Sequence, residues 1–313
     1  MNSQADSPES SRPRDAMATP RPVDGDEMWP KAIRGLGDVA TANARVRYTE
    51  TGSAASGARP VVFLHDSGNS RATWMPAAFH FPEDVRAVLV DLPGFGESEK
   101  PAPVRFAYGY DAFGDAVLDL VAALGLSRVS IVGHGLGAAI AIRLAADVPH
   151  VVDRIVLVAP RWGGTRSAFK DRMFALPLLG GFAFRRLERT PDKDGSVHAT
   201  FLATRDPRTL TASLPRVKAR TLAVWGEDDD PTVVANGKRL VREISGSRIS
   251  VLPGGRAPHE DAPEPFAKAL FRFLRADDGR GADVTPPPPS VAPTAPAGKA
   301  AKSRSKKRGE RKR

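Results

Sequence analysis

The stretch Val129-Ser130-Ile131-Val132-Gly133-His134-Gly135-Leu136-Gly137-Ala138 constrains the fold more than any other part of the chain. A short β-branched apolar run enters a turn of alternating glycines and leaves it as a small-residue, alanine-rich segment. That order reads as a buried strand turning sharply into a helix, with glycines where the backbone must bend or approach a neighbour closely.

The same alternation recurs on both sides. Val46 to Thr51, Pro60 to His65, Arg86 to Asp91, Arg128 to Val132, Arg154 to Ala159, Thr221 to Trp225 and Arg248 to Leu252 read as strands. Tyr110 to Leu124, Leu136 to Val148 and Pro263 to Arg275 carry apolar residues at helical spacing, and Gly125 is placed to stop the first of these. Strands alternating with helices predict an α/β fold, a mostly parallel sheet with helices on both faces. Ligands of such sheets bind beyond the carboxyl ends of the strands.

The periodic pattern covers residues 31–276 and predicts one α/β domain. Residues 1–30 are rich in Ser, Pro, Asp and Arg without an apolar core, and are expected to be a disordered leader. Residues 277–313 form a Pro-rich linker and a basic tail, also expected to be disordered. The net charge of +10 belongs mostly to that tail: Lys299 to Arg313 holds nine basic residues and one acid, Glu310. Nonspecific contact with a polyanion, nucleic acid or an anionic membrane surface, is the expectation for Lys299 to Arg313. The absence of cysteine excludes disulfides and thiol catalysis and fits a cytoplasmic protein. No apolar run is long enough to span a bilayer, and the six histidines lack metal-ligand spacing, so neither a metal nor another cofactor is expected.

Four landmarks, in order, make the chain similar to the α/β-hydrolase family over about residues 46–275. They are Val61-Val62-Phe63-Leu64-His65-Asp66-Ser67-Gly68, Asp91-Leu92-Pro93-Gly94-Phe95-Gly96-Glu97-Ser98, the turn around Gly135, and Leu222-Ala223-Val224-Trp225-Gly226-Glu227-Asp228-Asp229. The resemblance implies an oxyanion loop after His65, a nucleophile elbow at Gly135, a triad acid at Asp229 and a small helical lid over about residues 161–215. It also places Arg256, within Pro253-Gly254-Gly255-Arg256-Ala257-Pro258-His259-Glu260, where the family has its triad histidine.

Three of these positions depart from the family's chemistry. Acyl transfer needs a nucleophile, a base to activate it and an acid to orient the base. Gly135 offers neither serine nor aspartate, and the guanidinium of Arg256 cannot act as a base near neutral pH. The usual His-Gly of the oxyanion loop is His65-Asp66. The reading that follows is a protein inactive in the Ser-His-Asp sense that binds a small apolar or anionic ligand or a partner. The first alternative is an active hydrolase or cofactor-independent enzyme of the same fold, acting on a small apolar ester. The second is tail-mediated binding to nucleic acid or anionic membrane.

The candidate pocket comprises His65, Asp66, Ser67, Leu136 and His259. Amide N–H groups near Asp66 and Leu136 would face the oxyanion position and favour an anion or carbonyl oxygen. Arg256 either adds a charge for that ligand or pairs internally with Asp229 or Asp66. His65 is expected to hold the loop turn and His134 to pack beside the elbow. His259 is a base only if its loop is displaced.

Overall fold

The computed structural model describes residues 33–53, 59–160 and 207–276. The expected leader, linker and tail, and residues 161–206 of the expected lid, lie outside the described residues.

Among the described residues the strands are β1 Ile33–Ala40, β2 Arg45–Thr51, β3 Val61–Leu64, β4 Ala87–Val90, β5 Val129–His134, β6 Val152–Val158, β7 Arg220–Gly226 and β8 Arg248–Leu252. They form one sheet in the order β1-β2-β4-β3-β5-β6-β7-β8. β2 runs antiparallel to β1 and β4; every other pairing is parallel. The helices are α1 Met75–Ala78, α2 Tyr110–Ala123, α3 Leu136–Asp147, α4 Pro207–Ser213, α5 Pro231–Val241, α6 Pro258–Asp261 and α7 Pro263–Arg275. The α/β fold expected from the sequence is therefore present, and the expected strands and helices fall within two residues of those observed.

Side chains on successive residues of the inner strands feed two separate cores, as a sheet buried on both faces requires. Val62, Leu64, Val88 and Val90 pack with α2 and α3 on one face. Val61, Phe63, Ala87 and Leu89 pack with Trp74, Phe266 and Leu270 on the other. Each fully buried Val, Leu or Phe contributes about 1.5–3 kcal/mol of transfer free energy, so the sheet is the rigid body on which the loops are mounted.

α3 must lie close to β3 for the elbow to be tight. A Cβ on Gly137 would fall 2.2 Å from the Leu64 carbonyl oxygen, so only glycine permits this approach. α2 ends as expected: Gly125, at φ +66°, donates its N–H to the Ala122 carbonyl.

Two elements escape the hydrophobic pattern. β1 turns Gly35, Gly37 and Val39 inward, so its buried face is mostly glycine, and the Tyr48 ring fills the space a side chain at Gly37 would need. α5 carries Gly237 in its interior, packed under the Trp225 ring. The described end of the expected lid packs into the core. Leu210 of α4 and Leu214 after it are fully buried in the core shared with α3, and Arg143 of α3 reaches the Ser213 hydroxyl at 3.3 Å.

Among the described residues no helix is long and apolar enough to cross a membrane.

Candidate functional site

The loops that follow β3, β5, β7 and β8 converge at the carboxyl end of the sheet. Gly135 joins β5 to α3 at φ +51° and ψ −103°, a conformation that L side chains adopt only under strain. The strand-to-helix turn is thus sharp at a residue that carries no side chain.

The place of that side chain is taken. A Cβ built on Gly135 would lie 2.0 Å from Oδ1 of Asp66. The same Oδ1 accepts the backbone N–H of Leu136 at 2.8 Å and that of Ser67 at 2.8 Å. Its other oxygen, Oδ2, is paired with the Arg256 guanidinium. The two amides that the sequence offers to an external anion are therefore engaged by the chain's own carboxylate. Of the two internal partners open to Arg256, the one the structure provides is Asp66.

The electrostatics agree with this arrangement. Burial alone would raise the Asp66 carboxyl, but His134, the Arg256 guanidinium and the two amide hydrogen bonds outweigh it and hold the group below its ordinary 3.8. Asp66 is 15% exposed and Arg256 45% exposed, so the carboxylate is the enclosed member and the guanidinium faces outward.

A clamp beneath the loop fixes Asp66. His65 is fully buried, its Nδ1 2.7 Å from the Asp66 carbonyl oxygen, while its Nε2 accepts the Leu92 N–H at 3.0 Å. With Nε2 accepting, the proton sits on Nδ1 and is donated to that carbonyl. The expectation that His65 holds the turn matches this bonding. Asp91, fully buried, accepts the N–H groups of Arg71 at 2.6 Å and Glu97 at 2.8 Å and is paired with the Arg71 guanidinium. Ser98 donates to the Asp91 carbonyl at 2.6 Å and accepts from the Arg47 N–H at 2.8 Å.

His259 is fully buried below Asp66's loop. Its ring lies 4.2 Å from that of Trp74 and 4.8 Å, edge-on, from that of His134. Its Nε2 is 3.0 Å from the Thr73 hydroxyl, and its Nδ1 has no hydrogen-bond partner among the described residues. Burial, reinforced by His134, holds it neutral well below the ordinary 6.5. It is packed as a core aromatic and is not displayed to a ligand. Asp229, beyond β7, is 7% exposed, and its Oδ1 accepts the Asp230 N–H at 2.8 Å.

The buried histidines give the protein a defined acid sensitivity. His65 is likewise lowered, by burial. Both are neutral in the fold, whereas the unfolded chain takes up their protons below about pH 6.5. Stability is then complete above that pH and falls as pH drops toward the folded values, by about 1.4 kcal/mol per pH unit for each histidine. The Asp66 contribution is lost only lower, as pH falls through its depressed value beneath 3.8. Urea unfolding at pH 7.5, 6.5 and 5.5 should show this decline, and His259→Gln should remove a large part of the slope. A flat profile over that window would show that these rings are not held neutral.

The sequence offered Asp66 and Asp229 as alternative internal partners for Arg256; what it did not reveal is that Asp66 also takes the Leu136 and Ser67 amides in the space beside Gly135.

A family model described as the alpha/beta hydrolase family matches residues 61–269. An uncharacterized protein of Mycobacterium tuberculosis is 30% identical over 131 residues, 41% of this chain, and the match spans only 38% of that relative's length. A 2-hydroxy-6-oxononadienedioate/2-hydroxy-6-oxononatrienedioate hydrolase of Burkholderia vietnamiensis is 26% identical over 271 residues, 74% of this chain and 91% of that enzyme. Among solved structures, the enol-lactonase of Burkholderia xenovorans superimposes with a TM-score of 0.64 at 21% identity, over 77% of this chain and 100% of that one. The haloalkane dehalogenase of Agrobacterium tumefaciens gives 0.65 at 20% identity, over 78% and 97%. These two structures share the fold; the family match, covering more than half of the residues, carries the assignment, and the chain belongs to the alpha/beta hydrolase family.

Proposed function

We propose that this chain is a ligand-binding or interaction member of its family that performs no triad hydrolysis. The observation that supports the reading most is the Asp66 carboxylate. It sits where the nucleophile's side chain would begin and uses the two amides that would stabilise an oxyanion. A substrate carbonyl would have to expel a charge that is already hydrogen-bonded and paired. Arg256, in the base position, supplies a fixed positive charge in place of a proton acceptor.

The ligand this arrangement favours is small, apolar in its body and negative or strongly dipolar at one end. Arg256 spends one nitrogen on Asp66, and its outward guanidinium offers further donors to a carboxylate or carbonyl.

The test uses the unmodified full-length chain with p-nitrophenyl butyrate and a fluorophosphonate probe. The expected result is no turnover above the buffer rate, no labelling and no mass adduct on any side chain. Turnover that is abolished by Asp66→Asn or His259→Gln would overturn the proposal. It would favour the active enzyme that the names of the hydrolase relatives suggest.

A further inference from the structure

A cleft of about 220 Å³ lies between β8 and α7, and Arg256 does not line it. β8 is the last strand of the sheet among the described residues, so one of its edges has no strand partner there, and every residue in it is only half-buried. Arg248, Ser250 and Leu252 alternate along the strand and present one face to the cleft. Lys268, Ala269, Arg272 and Phe273 recur at helical spacing on α7 and present the opposite wall.

The lining divides by chemistry. Leu222 and Phe273, at 3% and 5% exposure, close the floor, with Leu252 and Ala269 half-buried above them. The charged lining residues are all cations: Arg248, Lys268 and Arg272. Lys268 is bonded to Glu264 at 2.6 Å. Arg272 stands in the last turn of α7, where a cation ordinarily serves the helix's free carbonyls. Here two of the carbonyls at that end are taken by others. Arg154 bonds the carbonyls of Leu274 and Ala276, and Arg220 bonds that of Ala276 at 2.8 Å. Neither the Arg248 nor the Arg272 side chain makes a hydrogen bond or ion pair among the described residues.

Two unengaged guanidinium groups over an enclosed apolar floor define a ligand chemistry. We propose that this cleft binds a free amphiphilic carboxylate, a short acyl chain or single ring with one anionic head. Its body would pack on Leu222, Leu252 and Phe273 and its head would lie on Arg248 and Arg272. Arginine suits the head because its planar fork matches a carboxylate's two oxygens. The apolar body is needed because a bare anion would gain little from exposed arginines in water. The competing account is that the long side chains merely cover apolar surface with their stems. That account requires no preference for an anion.

Octanoate, with octanol as its neutral counterpart, distinguishes these in isothermal titration calorimetry of the full chain. Octanoate is expected to bind saturably, one per chain, and octanol about 10-fold more weakly or worse. Arg248→Ser with Arg272→Ser, both surface changes, should weaken octanoate by about 10-fold or more. Ala269→Trp should fill the cleft and remove binding, and circular dichroism shows whether each variant is folded. Neither the double serine variant nor Ala269→Trp touches Arg256 or Asp66, so loss of binding in both separates this cleft from the site at Asp66. No binding to the unmodified chain, or equal affinity for octanol, would each overturn the proposal. Binding that survives in a folded Ala269→Trp protein would do the same.

Discussion

Gly135→Ser alone is expected to give a destabilised protein that a fluorophosphonate does not label. Combined with Asp66→Gly and Arg256→His, the same serine is expected to become reactive. The single change fails for a steric reason before any chemical one. The new Cβ falls 2.0 Å from Asp66 Oδ1, so the carboxylate must leave the Leu136 and Ser67 amides. The serine must also hold φ +51° at ψ −103°, which costs on the order of 1–3 kcal/mol for a residue other than glycine. Removing the Asp66 side chain clears the space and frees both amides for an oxyanion. Histidine at 256 then provides a base on the loop that follows β8, and Asp229 already stands at the turn after β7. General base catalysis by a positioned side chain is worth roughly 10²–10⁴-fold, so hydrolysis of p-nitrophenyl butyrate should rise at least about 100-fold over the parent. Labelling of Gly135→Ser at the rate of the triple variant would mean that Asp66 blocks nothing. A folded but silent triple variant would mean that the site has lost more than these three groups.

Why the fold was legible and the site only half so follows from the range of the interactions involved. Periodicity is local: Phe113, Val117, Leu120 and Val121 mark α2 within three turns, and the alternating residues of β3 and β4 mark two buried faces. It fails where glycine occupies the buried positions, as at Gly35 and Gly37 in β1 and Gly237 in α5, because a buried glycine leaves no hydrophobic trace. Gly135, where the family resemblance leads one to expect a nucleophile, is likewise local, a single residue in a recognisable turn. The Asp66–Arg256 pair is not, since its members are 190 residues apart in sequence. Their types and approximate loops can be read from the chain. The rotamer that sends the Asp66 carboxylate under Leu136 cannot, because it depends on the volume vacated at Gly135 and on the clamp formed by His65, Arg71 and Asp91.

Those three departures from the family pattern therefore form one structure. Each would be costly alone: Asp66 opposite a serine would clash, and without Arg256 it would be an enclosed carboxylate held only by amides and the field of His134. A serine above Arg256 would have no base. Together they satisfy one another, which is why the site is stable without a substrate.

If that is so, deleting the internal carboxylate should create a receptor for an external one. Asp66→Gly is expected to lose about 2–6 kcal/mol, chiefly from two enclosed amide donors left without partners at about 1–3 kcal/mol each. The ion pair adds little to that sum, because Arg256 is 45% exposed and solvent screens it. Acetate or formate should then enter the vacated position, donating nothing and accepting from Leu136, Ser67 and Arg256 as Asp66 does now. At ten times its dissociation constant, acetate would restore about 1.4 kcal/mol by mass action. The readout is the thermal midpoint of Asp66→Gly titrated with acetate, against sodium chloride at equal ionic strength and acetamide as the uncharged isostere. The midpoint should rise with acetate alone, and the unmodified protein should not respond. Adding Arg256→Ala should weaken the effect without abolishing it, because the amides remain. A rise matched by chloride would mark it as screening, and no rise in a folded Asp66→Gly protein would show that the amides and guanidinium do not form an anion site once Asp66 is gone.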